Sequence, residues 1–166
     1  MTPDVRMVPA GDAWTLIFIR DLPHPPEVVW RALTDPAELD QWAPFAADRD
    51  LGAPGEVTLT MVDGETRTPL AATVLQVKEP DLLEYAWGSE LLRWELAAIE
   101  GGTRLTLRHT LADRGVDAMI AAGWHLCTGV LERLLAGEPV GVIRGQDAMK
   151  HGWEQLRDEY AEKFAS

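Results

Sequence analysis

The sequence has only one cysteine and no cluster of positively charged residues. Its 166 residues include a single cysteine, Cys127, so no internal disulfide can form, which fits a reducing compartment. Lys and Arg together number 15 against 27 Asp and Glu, which gives a formal net charge of −12. Phosphate binding requires a concentrated basic surface, and no Lys/Arg run is present. The composition therefore argues against nucleic-acid and membrane partners and favours an acidic, solvated surface.

Long apolar runs and a targeting segment are missing as well. The apolar runs end well short of the roughly 20 residues that a membrane-spanning helix needs. The N-terminal stretch MTPDVRMVPAGDAW has no positive segment followed by an apolar block, so we expect no signal peptide and a cytoplasmic protein. The four histidines, at 24, 109, 125 and 151, do not repeat at a metal-site spacing. We expect neither a metal nor another cofactor.

The chain has enough apolar and aromatic residues for one substantial hydrophobic core. Hydrophobic residues make up 46% of the sequence, and seven of its residues are tryptophan. A chain of this length is typical of one domain. Residues 1–12 are polar and contain Pro and Gly, so we expect a flexible N-terminal arm, followed by a single domain over 13–166.

The first half predicts a strand followed by two short helices. WTLIFIR (14–20) is aromatic and β-branched, which favours a strand. Pro25 and Pro26 suit a helix start, and Val29, Trp30 and Leu33 form an apolar stripe at helical spacing. The segment Asp35-Pro36-x-Glu38 offers an N-cap, a first-turn proline and an N3 glutamate, which predicts a second helix directly after the first.

In the middle of the chain apolar residues recur at every second position, and near the end they recur at the spacing of a helix. Over 56–111, alternating segments such as EVTLTMV and LLRWELAAI are separated by turn signals such as DGET and EGGT. Five or more antiparallel strands in a curved meander are expected. Residues 115–136 predict a helix, and so do 146–164, where an apolar stripe should pack on the sheet. The fold class is α+β.

Several motifs, in this order, resemble one superfamily. PPEVVWRALTDPAELDQW, VLQVKEPDLLEYAW, LLRWELAAIEGGTRLTLRHTL and GWHLCTGVLERLLAG look like motifs of the START-like helix-grip superfamily (SRPBCC), in its activator-of-chaperone-ATPase-like group. The similarity runs over roughly residues 13–164. It implies a curved antiparallel sheet and a long C-terminal helix that enclose a largely apolar cavity.

In such a cavity, a set of inward-facing residues is expected to bind a small ligand. Most of them are aromatic, and they come from the sheet and from the helices. The set is Trp30, Leu59, Met61, Tyr85, Trp87, Trp94, Leu107, His109, Trp124, His125 and Trp153. The same aromatic residues could instead simply fill the core, and the sequence leaves both alternatives open.

Two histidines and the cysteine are the candidates for chemistry. Strand alternation turns His109 inward, where it could be a general acid/base or a buried side chain satisfied by a neighbouring polar group. His125 shares a helix face with Gly129 and Glu132, which places it at the surface or at the cavity rim. Cys127 lies on the buried stripe, where an apolar environment disfavours a thiolate nucleophile.

Three functions remain open from the sequence. The first is a binding protein for a small hydrophobic or aromatic ligand, without covalent chemistry. The second is a cyclase, dehydratase or hydrolase that acts on a polyketide-like or aromatic substrate and uses His109. The third, which only the resemblance suggests, is a cofactor of a chaperone ATPase. A monomer and a homodimer are both compatible with the pattern.

Overall fold

The computed structural model describes residues 3–63, 65–111, 113–138, 141–143 and 145–165. In this part of the chain, eight strands form one antiparallel sheet in the order β1-β2-β8-β7-β6-β5-β4-β3. The strands are β1 (Asp4–Ala10), β2 (Ala13–Leu22), β3 (Phe45–Ala47), β4 (Gly55–Asp63), β5 (Thr66–Lys78), β6 (Leu82–Trp87), β7 (Glu90–Ile99) and β8 (Gly102–Leu111). The expected antiparallel meander is confirmed.

Helices interrupt and follow the sheet as expected. They are α1 (Pro26–Thr34), α2 (Pro36–Leu39), α3 (Asp117–Leu135) and α4 (Trp153–Ala165), with short 3₁₀ helices at Arg114–Val116 and Gly145–His151. Helices α1 and α3 pack on the inner, concave face of the sheet. The α+β helix-grip architecture is therefore confirmed. No helix within the described residues is long and apolar enough to cross a membrane.

The junction between the first two helices forms as its residues predict. Pro25 is the N-cap residue of α1 but makes no side-chain cap bond, and Pro26 occupies the first helical position, where the missing N–H costs nothing. The carboxylate of Asp35 accepts a hydrogen bond from the backbone N–H of Ala37 at 2.9 Å, which caps α2. Asp35 also ends α1, so one residue fixes the angle between the two helices.

The flexible arm expected over 1–12 is wrong for most of that segment. Residues Asp4–Ala10 form β1, which pairs with β2 from Asp4↔Ile19 to Ala10↔Ala13. Val5 is fully buried in the core. The turn at Gly11, with φ +63°, reverses the chain into a hairpin, which gives this polar segment backbone partners on β2.

Alternation along the strands separates a buried inner face from a charged outer face. On β8, Leu105, Leu107, His109 and Leu111 are buried, whereas Arg104 and Arg108 at the alternate positions are exposed. On the outer face, Glu95 of β7 accepts hydrogen bonds from Arg93 at 3.1 Å and Arg108 at 2.7 Å. Arg93 and Glu95 therefore lie on the outer face of the sheet.

The C-terminal helix differs from its expected limits and position. It begins at Trp153 rather than at 146, because Gly145–His151 form a 3₁₀ helix and Gly152 adopts φ +80°. Its stripe packs against α3 rather than against the sheet. The ring of Tyr160 lies over His125, with ring centroids 5.9 Å apart.

Two glycines inside α3, Gly123 and Gly129, are not sites of close packing. Apart from the chain neighbours and the backbone of the helix itself, a Cβ built on either residue meets no atom of the described residues within 4 Å. Since glycine costs a helix interior about 1 kcal/mol relative to alanine, we predict that Gly123→Ala and Gly129→Ala each raise the free energy of unfolding by about that amount. The two changes should add, and urea denaturation measures both.

Gly137, just beyond the same helix, is the matched control. It adopts φ +81°, a conformation that side-chain-bearing residues rarely tolerate. Gly137→Ala should therefore lower the free energy of unfolding by about 1 kcal/mol. A loss of stability at Gly123 or Gly129 comparable with that at Gly137 would contradict the open space around them.

Candidate functional site

The deep end of the concave face is filled by aromatic side chains. Trp94 makes edge-to-face contacts with Trp42, at a centroid distance of 6.0 Å, and with Trp124, at 5.4 Å. The indole Nε1–H of Trp94 donates to the Tyr85 hydroxyl at 3.0 Å. Burial raises the pKa of the Tyr85 phenol far above its ordinary value, so it stays protonated. These residues form a packed layer, so ligand access must be sought nearer the edge.

A hydrogen-bonded chain of Glu90, His109 and Trp124 runs from this layer toward the edge. The Trp124 Nε1–H donates to Nδ1 of His109 at 3.0 Å. The other ring nitrogen, Nε2, is 2.7 Å from Oε1 of Glu90. His109 is 2% exposed, whereas the Glu90 side chain is 25% exposed. The three residues come from β7, β8 and α3, so the chain also ties the helix to the sheet.

The partners of His109 fix its tautomer. An indole nitrogen can only donate, so Nδ1 of His109 must accept and carries no hydrogen. Nε2 therefore carries the ring hydrogen and donates it to the Glu90 carboxylate. Both ring nitrogens are occupied within the protein. In this arrangement His109 orients Glu90 and Trp124, and the partly exposed group of the chain is the carboxylate.

The partly exposed portion of the inner face lies at the hairpin ends of β4 to β7, and we call it the mouth. Its residues are Met61, Leu70, Trp87 and Glu90. Trp87 and Glu90 are directly opposite each other across the β6–β7 hairpin. Leu70 is two residues from Ala72, the β5 partner of Trp87, and is 37% exposed. The β4–β5 hairpin projects beyond the end of β6, so the mouth has an apolar wall on that side.

Trp87 is the most informative residue of the mouth. Its ring contacts Phe45 edge-to-face at a centroid distance of 5.1 Å. Phe45 is paired with Met61 across β3 and β4, which places all three side chains together. The Nε1 atom of Trp87 is shielded from solvent and has no hydrogen-bond partner among the residues that the structure describes. An unpaired buried donor costs about 1–3 kcal/mol, and this cost would be recovered if a ligand supplied an acceptor.

The segment that follows α3 packs against both α3 and β4. The 3₁₀ helix Gly145–His151 packs near β4. The thiol of Cys127 lies 4.0 Å from the backbone oxygen of Ile143. Cys127 is buried, as the helical stripe predicts. It serves as a packing residue of the core.

His125 is covered by α4 instead of lying at the rim. Its Nδ1 is 2.8 Å from the Tyr160 hydroxyl. Burial, and then the positive charge of Arg20, lower the pKa of His125 below its ordinary value, while Glu159 opposes the shift. Burial raises the pKa of Tyr160 to about 12. His125, expected at the surface or at the rim, is half-buried because the terminal helix packs on this face of α3.

The lowered pKa of His125 predicts a pH-dependent stability. The unfolded chain binds a proton near pH 6.5, whereas the folded protein resists protonation until a lower pH. Stability is therefore fully present above about pH 6.5 and is lost as the pH falls toward the folded pKa. His125→Asn, which keeps a polar atom near the Tyr160 hydroxyl, should lose less stability than wild type between pH 7.5 and 5. Urea denaturation at each pH measures this difference, and parallel curves would refute the assignment.

Besides His125, two of the residues that the sequence proposed for ligand binding have other surroundings. Trp30 lines a cleft of about 530 Å³ with Arg31, Asp35 and Asp50, among others. Trp153 begins α4, and the Arg157 guanidinium lies 5.2 Å above its ring. Of the remaining residues, Leu59, Tyr85, Trp94, Leu107, His109 and Trp124 are buried on the concave side. Met61 and Trp87 are at the mouth.

A surface groove of about 860 Å³ lies between the start of α3 and the end of α4. It includes Asp117, Met119, Arg157 and Phe164. It is open to solvent and separate from the concave face. Within the described ranges, no group of three or more His, Cys, Asp or Glu side chains is placed to hold a metal ion.

Sequence reasoning missed Glu90, Leu70 and Phe45 of this region. Glu90 lies two residues before Leu92, so the same alternation that turned Leu92 inward also predicts an inward Glu90. Leu70 shares the face of Ala72 and Val74 on β5. Phe45 carries no comparable signal, because its strand has three residues.

The family of the chain follows from its sequence and agrees with this architecture. The model of the family described as Activator of Hsp90 ATPase homolog 1-like protein matches residues 23–136. The chain belongs to this family, within the START-like SRPBCC superfamily, whose fold binds small molecules. No curated protein matches the sequence.

Solved structures with the same fold include proteins from several bacteria. The solution structure of CalU16 from Micromonospora echinospora has a TM-score of 0.74 and 19% identity, covering 99% of this chain and 93% of that one. EF2215 from Enterococcus faecalis, a conserved protein of unknown function, has a TM-score of 0.69 and 17% identity, covering 98% and 90%. DynU16, from the dynemicin biosynthetic locus, has a TM-score of 0.67 and 25% identity over 80% of this chain and 51% of its own length. These similarities show the fold.

Proposed function

We propose that the protein binds a small hydrophobic or aromatic molecule at the mouth of the concave face, without forming a covalent bond to it. The observation that carries this proposal is the unpaired, buried indole N–H of Trp87 beside the exposed inner-face side chain of Leu70. Leu70 extends the apolar surface of Met61 and Trp87 outward, which gives a hydrophobic ligand an area to contact. The cytoplasm, where the buried Cys127 would stay reduced, is the proposed location.

The arrangement of His109 supports binding over catalysis. A general base must present a nitrogen to the substrate proton. Both nitrogens of His109 are held by Trp124 and Glu90. The place of DynU16 in a biosynthetic locus is compatible with a ligand of biosynthetic origin.

Two leucines of β5 provide a matched test of where the ligand binds. Leu70 is 37% exposed on the inner face, and Leu75 is 48% exposed on the same strand outside the mouth. Leu70→Gln should weaken binding of a neutral fluorescent probe, N-phenyl-1-naphthylamine, by about fivefold or more, since it removes apolar contact area. Leu75→Gln should leave the affinity unchanged.

Neither substitution should disturb folding, because exposed side chains contribute within about 0.5 kcal/mol. Circular dichroism and thermal unfolding would establish this before titration. Absence of saturable probe binding to the wild type would refute the proposal. Equal losses in the two variants would place the probe outside the mouth.

A further inference from the structure

The cleft of about 530 Å³ that Trp30 lines is at the opposite end of β5 from the mouth. It is formed by one face of α1, by the loop that precedes β4 and by the turn between β5 and β6. Glu79 directly follows β5, whereas Leu70 of the mouth lies near the start of that strand. The cleft has the volume of a small-molecule site and its own lining residues, so it is a candidate site beyond the proposed function.

Carboxylates dominate the charge of this cleft. Glu27, Asp50 and Glu79 come from three different segments, and none of them forms an ion pair with a described residue. Arg31 also lines the cleft, but its Nε is 3.6 Å from Oδ2 of Asp35, which partly neutralises it. Three carboxylates therefore have no positive partner within the described part of the chain, and they favour a cationic occupant.

Trp30 is the apolar floor of the cleft and offers it a hydrogen-bond donor. It lines the cleft although it is only 4% exposed. Its indole N–H makes no hydrogen bond with any described residue, yet it is not shielded from solvent. The donor therefore faces the cleft, where an oxygen atom of an occupant can accept from it. Thr34, also buried there, already donates its hydroxyl hydrogen to the Trp30 backbone oxygen at 3.0 Å.

We infer that this cleft binds a small organic cation, with its ammonium group among Glu27, Asp50 and Glu79 and an oxygen acceptor bonded to the Trp30 indole. The hydrocarbon part of the ligand lies against the apolar surfaces of Trp30 and Pro80. Within the described ranges, no three acidic side chains are placed to hold one metal ion. Charges that are spread in this way suit an extended organic cation better than a compact inorganic one.

Four compounds with one benzene ring test the inference in the wild-type protein. They are tyramine, phenethylamine, which lacks the phenol oxygen, 4-(2-hydroxyethyl)phenol, which is neutral, and 3-(4-hydroxyphenyl)propionate, which is an anion at pH 7. Two-dimensional NMR follows the Trp30 indole resonance and the backbone amides of α1. We expect tyramine to bind about tenfold more tightly than the neutral phenol and about threefold more tightly than phenethylamine, with the anion weakest.

The salt dependence checks the role of charge in the same titrations. Raising the ionic strength from about 20 to 200 mM should weaken the binding of the two amines and leave the neutral phenol unchanged. Equal affinities for tyramine and the neutral phenol would overturn the inference. Tighter binding of the anion would overturn it as well, because Arg31 would then determine the selectivity.

Matched variants assign the two halves of the recognition. Glu79→Gln removes one charge from the cleft, so it should weaken tyramine binding about threefold and leave the neutral phenol unchanged. Glu100→Gln makes the same change in the exposed turn between β7 and β8 and should leave both affinities unchanged. Both side chains are exposed, so neither change should disturb folding. Trp30→Phe keeps an aromatic floor but removes the donor, so the preference for tyramine over phenethylamine should disappear.

The outcomes separate this site from the mouth. If none of the compounds shifts the α1 resonances saturably, the cleft is not a binding site, whatever the result at the mouth. Equal weakening of tyramine by Glu79→Gln and Glu100→Gln would mean that the net charge of −12 attracts the amine without a specific site. If Trp30→Phe, folded as judged by its thermal transition, keeps the preference, the role of the indole is wrong. Tyramine should not displace N-phenyl-1-naphthylamine, and displacement would overturn the assignment of a separate site.

Discussion

Replacement of Trp42 by alanine is expected to lower the free energy of unfolding by about 4 kcal/mol, within the usual range for a buried tryptophan. Trp42 is fully buried directly after α2. Its Nε1–H donates to the backbone oxygen of Ala32 on α1 at 2.8 Å, and its ring packs against Trp94. The side chain thus holds both short helices onto the packed aromatic layer. Its loss removes a large part of the 5–15 kcal/mol typical of a whole domain.

Two other substitutions make this result interpretable. Trp42→Phe keeps most of the ring but loses the bond to Ala32, so it should cost about 2 kcal/mol and remain folded for measurement. Trp153→Ala removes the same side chain from the partly exposed start of α4 and should cost far less. Urea denaturation followed by circular dichroism gives all three values. Equal costs for the two alanine variants would mean that Trp42 does not anchor the α1–α2 pair.

The sequence predicted this architecture well where a local rule governs it. The restricted backbone of Pro26 sets the start of α1, and the side-chain hydrogen bond of Asp35 sets the start of α2. Both helix starts could therefore be predicted from these residues alone. Period-two alternation predicted the inner face of β8, including His109. These features depend on neighbours within a few residues.

Features that depend on distant partners were predicted poorly. Residues 4–10 are too polar to predict a strand, and they form one because β2 supplies hydrogen-bond partners for their backbone. His125 was expected at the rim because nothing in its own helix shows that Tyr160 covers it from α4. The unpaired donor of Trp87 could not be predicted either, since the lack of a partner depends on every segment that folds around it. Alternation alone, however, would have turned Glu90 inward.

Arg20 illustrates the same limit, because its position on β2 turns it inward among apolar residues. Its side chain is only 6% exposed, and Nη1 is 2.8 Å from Oε2 of Glu132 on α3. Its Nε–H also donates to the Thr128 hydroxyl at 3.1 Å. The guanidinium therefore connects the sheet to α3 near His125, whose pKa it helps to lower.

We predict that replacing one partner of this ion pair lowers the free energy of unfolding more than replacing the other. Glu132→Gln leaves a buried guanidinium that cannot lose its proton, so it should cost about 3 kcal/mol. Arg20→Met leaves a carboxylate that is 32% exposed and can reach water, and its methylene chain preserves packing, so it should cost about 1–2 kcal/mol.

The double variant and the pH dependence complete this prediction. Arg20→Met with Glu132→Gln should be no less stable than Arg20→Met alone, because the uncompensated charge is gone. Arg20→Met should also raise the pKa of His125 toward its ordinary value, which reduces the loss of stability between pH 7.5 and 5. Two-dimensional NMR titration of His125 measures the pKa, and urea denaturation measures the stabilities. If Arg20→Met proved costlier than Glu132→Gln, the hydrogen bonds of Arg20 to Thr128 and to the His125 backbone oxygen, rather than the burial of its charge, would dominate the link between sheet and helix.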